Sequence, residues 1–171
     1  SGISTEVGKT IVSAIFTEAF NADYWKPVQS GDLHNSDTDK VRRLISNQHT
    51  VFHPNSYALN TPASPHLSAA IDGIRIDLAN IVRPKTDNHL VIEAAGGLFV
   101  PLNEDDTMID LLLPTDKIVL VSRHYLGSIN HTLLTYEALK NRGLNIHGIV
   151  FSGTPNPSTE SFILHKTQLP V

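Results

Sequence analysis

Cysteine is absent from the 171-residue sequence, and methionine and tryptophan occur once each. Without cysteine the chain has no disulfides, thiolate metal sites or thiol nucleophiles, which fits a reducing compartment. A strongly basic charge is also absent, since the net charge is -4, and this argues against a nucleic-acid partner. No apolar run is long enough to span a membrane, and no signal-peptide pattern opens the chain. We therefore expect a cytoplasmic protein that acts on small ligands and binds neither nucleic acid nor membranes.

The remaining composition is that of an ordinary globular protein, with 40% hydrophobic and 18% charged residues. Short apolar runs predict strands that are buried on both faces, and segments of helical periodicity separate them. We predict a single α/β domain over residues 1–171, with a mostly parallel sheet that helices cover on both faces. The predicted strands are 24–28, 89–93, 117–121 and 147–152, and the predicted helices are 11–20, 37–45, 65–73, 77–82 and 129–142.

A glycine-bounded loop at the start of the chain ends in Gly8-Lys9-Thr10 and opens the first predicted helix. Such a loop wraps backbone N–H groups around a phosphate, with Lys9 placed for the outer phosphates and the Thr10 hydroxyl for Mg²⁺. Five residues separate Gly2 from Gly8, one more than in the common motif. Only Ser1 precedes Gly2, so we expect either that the chain is trimmed or that the strand that normally carries such a loop is absent. The loop predicts a nucleoside triphosphate as ligand.

Charged residues follow two of the predicted strands. Lys26 stands near the end of the first strand, and Glu93 ends the strand before Ala94-Ala95-Gly96-Gly97. Ligands of parallel α/β sheets bind at the carboxyl ends of the strands, so these residues are candidates for a site. Mg²⁺ prefers oxygen ligands shared with phosphates, which Thr10 and one or two of Asp37, Asp39 and Glu93 would supply. Spacing alone does not choose between these acids.

Several blocks of this sequence, in the same order along the chain, resemble the dethiobiotin synthetase family. The lengthened phosphate loop combined with a Lys-Pro-Val segment is the most specific part of the resemblance. The blocks are Thr5-Glu6-Val7-Gly8-Lys9-Thr10, Trp25-Lys26-Pro27-Val28-Gln29-Ser30-Gly31, Asn35-Ser36-Asp37, Ser64-Pro65-His66, Glu93-Ala94-Ala95-Gly96-Gly97 and Leu126-Gly127-Ser128-Ile129-Asn130-His131. The resemblance implies a P-loop NTPase-like fold and covers residues 2 to about 153.

By this resemblance the chain is expected to join CO₂ to an amine of 7,8-diaminononanoate as a carbamate. ATP then phosphorylates the carbamate, and a cyclic urea closes as phosphate leaves. The implied partners are ATP, 7,8-diaminononanoate and CO₂ or bicarbonate, and the implied cofactor is Mg²⁺. The family also implies a homodimer whose active site lies at the subunit interface.

The resemblance assigns roles to residues at matching positions. The catalytic residues would be Lys26, Lys9 and Glu6. The nucleotide would contact Glu6, Val7, Gly8, Lys9, Thr10, Glu93, Ala94, Ala95, Gly96 and Ser152. The substrate would contact Thr5, Lys26, Ser30, Gly127, Ser128, Ile129 and Asn130, the last four from the neighbouring subunit. The metal ligands would be Thr10, Asp37 and Glu93.

The sequence departs from the family pattern at two single positions, in one three-residue segment and at its end. Ala94 replaces a glycine, a segment that carries a lysine reads Arg123-His124-Tyr125, and Ser152 replaces the asparagine that reads adenine in some members. The final loop that helps to cover the base lies beyond Val171. Preference for ATP over other nucleotides is therefore expected by analogy only.

An alternative from another functional class is a partition-type ATPase switch, which also has a deviant phosphate loop and a parallel sheet. Such switches commonly carry a second lysine inside the loop. This chain has Glu6 and Val7 there and places its additional lysine at Lys26. The position of that lysine favours the synthetase.

Overall fold

A computed structural model describes residues 1–171. The chain forms two compact units. The first unit contains Ser1–Lys9, Gly96–Phe99 and Ile109–Val171, and the second contains Thr10–Ala95 and Val100–Met108. All four strand pairs are parallel, which confirms the predicted α/β class.

The second unit contains two small parallel sheets. One has the strand order β3-β1-β5, and the other pairs β2 with β4. Buried Ala14, Tyr24 and Val41 form a core in this unit, against which Phe52 and Val91 pack. Its strands are β1 Asp23–Trp25, β2 Val28–Ser30, β3 Phe52–His53, β4 Tyr57–Leu59 and β5 Leu90–Ile92. Its helices are α1 Lys9–Ala19, α2 Asp37–Leu44 and α3 Pro65–Ile71. The first residue of α1, Lys9, is the last residue of the segment Ser1–Lys9 of the first unit.

The first unit is built on one parallel strand pair. Its elements are β6 Ile118–Arg123, α4 Ser128–Asn141, β7 Ile146–Ser152 and α5 Pro157–Thr167. The first residues of the chain run parallel to β6, since the Ile3 amide donates to the Val121 carbonyl at 3.1 Å. The phosphate loop therefore leaves the sheet edge beside β6. Buried Leu98, Ile109, Ile118 and Leu139 form the core of this unit.

Two predicted helix starts have the expected chemistry. Ser36 and Asp39 form a reciprocal capping box at the start of α2, and Pro65 occupies the first turn of α3. The start of α4 differs from the prediction, because the residue that caps it is Gly127 and Ser128 is the first helical residue.

Two other sequence predictions are wrong. The strand predicted over residues 24–28 is divided into β1 and β2, because Pro27 has no N–H to continue a ladder. The helix predicted over 77–82 is a single 3₁₀ turn, Leu78–Asn80, which the Asp77 side chain caps. The sequence analysis did not predict β3, β4 or α5. None of the helices has the length and apolar character that a membrane span requires.

Candidate active site

The pairing of β1 with β5 places Lys26 beside Glu93. Trp25 pairs in register with Ile92, and the amide that follows, that of Glu93, donates to the Trp25 carbonyl at 3.0 Å. Lys26 and Glu93 therefore both follow the carboxyl ends of neighbouring parallel strands. They are only 4% and 3% exposed. Buried charges of this kind are rare unless they are paired.

Glu93 accepts hydrogen bonds on both of its carboxylate oxygens. Its Oε1 accepts from Lys26 Nζ at 3.3 Å and from Thr10 Oγ1, in the first turn of α1, at 2.9 Å. Its Oε2 accepts from the Tyr24 hydroxyl at 2.9 Å. Lys26 Nζ also donates a short hydrogen bond to Asp37. We call Thr10, Lys26, Asp37 and Glu93 the acid–lysine cluster.

Asp37 is held at the first turn of α2. Its backbone amide donates to Gln29 Oε1 at 3.3 Å, and its Oδ1 accepts from Lys40 Nζ at 3.3 Å. Burial alone would raise the pKa of Asp37, but the ammonium groups of Lys26 and Lys40 outweigh burial and lower the pKa below its ordinary value. Asp37 therefore stays ionised at neutral pH.

Tyr24 lies under the cluster and is completely buried. Its burial, and then the nearby Glu93 carboxylate, raise the pKa of its hydroxyl far above the ordinary value. Tyr24 is therefore a permanent hydrogen-bond donor to Glu93.

The acids among which spacing could not choose the metal ligands have different contacts in the structure. Asp39 accepts from the Ser36 hydroxyl at 2.7 Å and from Arg42 at 3.0 Å, so it serves the start of α2. Thr10 and Glu93, in contrast, are in direct contact. No group of three or more His, Asp or Glu residues is arranged to hold a metal ion through protein ligands alone. Mg²⁺ commonly binds through one or two carboxylates together with phosphates and waters, and this donor set fits that mode.

Ser30, at the carboxyl end of β2, has a buried hydroxyl without a hydrogen-bond partner in the protein. Such groups are uncommon because an unsatisfied buried hydroxyl is costly. The Ser30 hydroxyl thus has an unused donor, and its predicted contact with a substrate stays a prediction.

In the first unit, the loop of residues 2–9 has the backbone geometry that its glycines allow. Gly8 has a φ of +94°, and a Cβ at Gly2 would lie 2.8 Å from Val7 Cγ2. Lys9 is 9% exposed, and its Nζ donates to the Ser4 carbonyl at 2.7 Å. The side chains of Thr5 and Glu6 are exposed. The Lys9 side chain thus forms a hydrogen bond within its own loop.

Two side chains at the ends of β6 and β7 contact the loop from outside. The Ser152 hydroxyl donates to the Val7 carbonyl at 2.7 Å, and Arg123 Nη1 donates to the Glu6 carbonyl at 3.1 Å. Ser152 stands at the position that reads the base in some family members, but here its hydroxyl donates to a carbonyl of the loop.

The segment after Glu93 carries three further predicted nucleotide contacts. Ala94 is 8% exposed and Ala95 is half-buried. Gly96 begins the portion of this segment that belongs to the first unit and has a φ of +61°, a conformation that favours glycine.

The start of α4 leaves backbone donors free. Gly127, at a φ of 101°, caps the helix without a side-chain hydrogen bond, and the amides of Ile129 and Asn130 have no partner. Free amides and the helix dipole favour an anion at such a position. Leu126 beside it is completely exposed, and Leu134 in α4 is 60% exposed.

Four residues that contact predicted site residues were not predicted from the sequence. Helical spacing places Lys40 beside Asp37, so that signal was present. Tyr24, Gln29 and Arg123 carried no such signal, because their contacts depend on the tertiary fold.

Comparisons with known proteins show the family of this chain. A family model described as an AAA domain matches residues 1–171. The dethiobiotin synthetase BioD of Christiangramia forsetii, described as ATP-dependent, is 60% identical over 163 residues, which cover 95% of this chain and 79% of the relative. An enzyme of the same name from Cytophaga hutchinsonii is 50% identical over 98% of this chain and 82% of its own length. The corresponding protein of Chlamydia pneumoniae is 44% identical over 99% of this chain and 76% of its own length.

Proposed function

Because the chain belongs to the family of ATP-dependent dethiobiotin synthetases, we propose that it carboxylates 7,8-diaminononanoate and closes the cyclic urea of dethiobiotin at the acid–lysine cluster. The chain is thus an ATP-dependent ligase of biotin biosynthesis. The observation that carries the detailed proposal is the buried Lys26, held between Asp37 and Glu93. Glu93 also binds Thr10, the residue that directly follows the phosphate-loop lysine, Lys9.

The proposed reaction has three steps. One substrate amine attacks CO₂ and loses a proton, which gives a carbamate. A carbamate oxygen attacks the γ-phosphorus of ATP, the bond to the ADP oxygen breaks, and a carbamic–phosphoric anhydride forms. The second amine then attacks the carbamate carbon, loses a proton and expels phosphate. Negative charge spreads over the oxygens during phosphoryl transfer, so positioned cations supply most of the catalysis.

Lys26 has the contacts required of such a cation. An ammonium group has three N–H donors, and the protein partners of Lys26 are Asp37 and Glu93. The third donor is free to hold the carbamate or the phosphoryl oxygen. The two carboxylates fix the direction of the Lys26 ammonium group, which reduces the ordering required when substrate binds.

Mg²⁺ would be held by Thr10, Glu93 and Asp37 of the acid–lysine cluster. When bound, the metal would neutralise charge on the triphosphate. The residues present fit this role, since all their donor atoms are oxygen and two of them are already in contact.

Lys9 would meet the outer phosphates after it releases the Ser4 carbonyl. The main-chain groups of Glu6, Val7 and Gly8 would line the phosphates, and the exposed Glu6 carboxylate would meet a substrate amine. Thr5 and Ser30 would bind the substrate, and Ser30 is suited to this because its buried hydroxyl has no protein partner. Ala94, Ala95 and Gly96 would also contact the nucleotide.

The substrate carboxylate would bind at Gly127, Ser128, Ile129 and Asn130 of a second copy of the chain. The free amides at this helix start support anion binding. Leu126, which directly precedes this helix start, is completely exposed, and a second protomer would bury it. We therefore propose a homodimer.

A phosphate-release assay tests the proposal. With ATP and Mg²⁺ present, release should require both 7,8-diaminononanoate and bicarbonate, and dethiobiotin should form in equal amount. Lys26→Met provides the inactive control. Phosphate release that is independent of the diamine would instead indicate a nucleotide switch and would refute the synthetase mechanism.

A further inference from the structure

The phosphate loop is held from outside by the last residues of two adjacent strands. Arg123 ends β6, Ser152 ends β7, and the two are paired in register. Their side chains donate to the carbonyls of consecutive loop residues, Arg123 to Glu6 at 3.1 Å and Ser152 to Val7 at 2.7 Å. Both contacts lie within the first unit.

These two hydrogen bonds determine which way the loop amides face. In a trans peptide the C=O and the following N–H point to opposite sides, and the chain contains no cis peptide bonds. When the Glu6 and Val7 carbonyls are held toward the strands, the amides of Val7 and Gly8 are directed away from the strands. Successive amides with one orientation form an anion-binding nest.

We propose that Ser152 and Arg123 are positioning residues that hold the phosphate loop in its anion-binding conformation before the nucleotide arrives. This inference rests on the proposed function, in which the loop binds the phosphates of ATP. By this inference Ser152 contributes to phosphate affinity and does not recognise the base.

The surroundings of Ser152 support this assignment. A serine hydroxyl has one proton to donate, and the Val7 carbonyl receives it. Gly8 leaves room for the contact, because a Cβ at that position would lie 3.3 Å from Ser152 Oγ. Glu6 has a φ of 54° and Gly8 a φ of 94°, values that most residues rarely adopt. A loop with this backbone benefits from external hydrogen bonds that keep it in place.

The test compares phosphate ligands with and without a base. Calorimetry would measure the Kd of pyrophosphate, ADP and ATP for the wild-type chain, Ser152→Ala and Ser122→Ala. Ser122→Ala is the matched control, because it removes a buried hydroxyl from β6 that bonds Thr132 and not the loop. We expect Ser152→Ala to raise all three Kd values by about three- to tenfold, the range for one hydrogen bond. The control should leave them unchanged.

Kinetics and hydrogen exchange supply two further readouts. In Ser152→Ala the KM for ATP should rise while kcat at saturating ATP changes less than about twofold, because the hydroxyl does not contact the reacting atoms. Amide exchange in residues 1–10 of the nucleotide-free protein should be faster in Ser152→Ala and in Arg123→Met than in the wild type.

Each outcome decides the inference. A loss of ATP and ADP affinity with unchanged pyrophosphate affinity would mean that Ser152 reads the base, and would overturn the proposal. Unchanged affinities and unchanged exchange would overturn it as well. If the wild-type chain binds no pyrophosphate, the loop is not a phosphate site and both proposals fail. Pyrophosphate binding that depends on Ser152, without formation of dethiobiotin, would refute the proposed reaction and support the positioning role.

Discussion

Replacement of Lys26 by methionine tests the acid–lysine cluster most directly. Methionine keeps most of the apolar stem and volume of lysine but removes the ammonium group. Glu93, whose side chain is 2% exposed, then keeps only Tyr24 and Thr10 as partners. Asp37, with a 21% exposed side chain, keeps Lys40. The substitution therefore leaves two partly compensated carboxylates close together.

The loss of stability follows from these remaining contacts. Removal of one partner from a buried ion pair costs about 3–5 kcal/mol when nothing replaces it. Glu93 retains two hydrogen bonds and Asp37 retains a second cation, so we expect Lys26→Met to cost about 2–3 kcal/mol near neutral pH. Lys40→Met is the matched control. It removes a lysine whose side chain is 35% exposed and that does not contact Glu93, and it should cost less than about 1 kcal/mol.

The pH dependence of that loss has a definite sign. The pKa of Asp37 in the folded protein lies below its ordinary value of 3.8, so its ion pairs add stability above pH 3.8. This contribution is lost as the pH falls through the lowered pKa. In Lys26→Met the pKa of Asp37 rises because one of its two cations is gone. The stability difference between wild type and variant should therefore be largest near neutral pH and should shrink below about pH 4.

Urea denaturation at neutral and acid pH measures this difference, and phosphate release measures turnover. We expect turnover to fall by orders of magnitude, about 10³-fold, while ATP binding by calorimetry persists. Turnover close to that of the wild type would refute the role of Lys26 in phosphoryl transfer. A stability loss below about 1 kcal/mol at every pH would refute the account of the buried ion pairs.

Three further predictions concern the metal, the support of Glu93 and the dimer. Glu93→Gln and Asp37→Asn should each raise the Mg²⁺ concentration required for half-maximal turnover, and an unaltered Mg²⁺ titration would contradict the assignment of that residue. Tyr24→Phe should cost about 1–3 kcal/mol in urea denaturation, because Glu93 Oε2 loses its donor; an unchanged midpoint would show that this hydrogen bond is dispensable. Leu126→Asp should shift the protein from dimer to monomer in sedimentation velocity and raise the KM for the diamine, and an unchanged sedimentation coefficient would exclude this surface from the interface.

The carboxyl-end rule for parallel sheets made Lys26 and Glu93 candidates from the sequence, and the family resemblance gave them their predicted roles. Both residues directly follow short runs that form strands, and parallel strands end at the same edge. The rule needs only the strand assignment, which the apolar runs supplied. The α/β class followed from the same pattern and is confirmed.

The partners of these residues required knowledge of the register. Tyr24 contacts Glu93 because β1 pairs with β5 so that Tyr24 stands opposite Val91, and sequence periodicity does not determine which strands pair. The sequence could not distinguish Asp37 from Asp39 for a similar reason, because their contacts differ only in the folded protein. Both begin α2, and the capping box engages one while Lys26 reaches the other. Local patterns predicted the helix start but not the neighbour that approaches it.

The division of the predicted strand at Lys26 and Pro27 has a counterpart across the sheet. β1 pairs with β3, and after Pro27 and Pro54 the same two segments pair again as β2 and β4. Proline cannot donate a hydrogen bond to a ladder, so both segments leave the first sheet at a proline and then pair in the second sheet. The Asn55 side chain donates to the Lys26 carbonyl at 2.6 Å across this crossing.

This crossing explains why a lysine at the end of a strand is buried. The Lys26 backbone lies between the two sheets, where the Asn55 side chain bonds its carbonyl, and its side chain pairs with Glu93 and Asp37. Pro27 thus matters to the site through its missing N–H. Asn55 supports Lys26 in the same region. Its side-chain amide donates to the Lys26 carbonyl, which lies where the strand is interrupted.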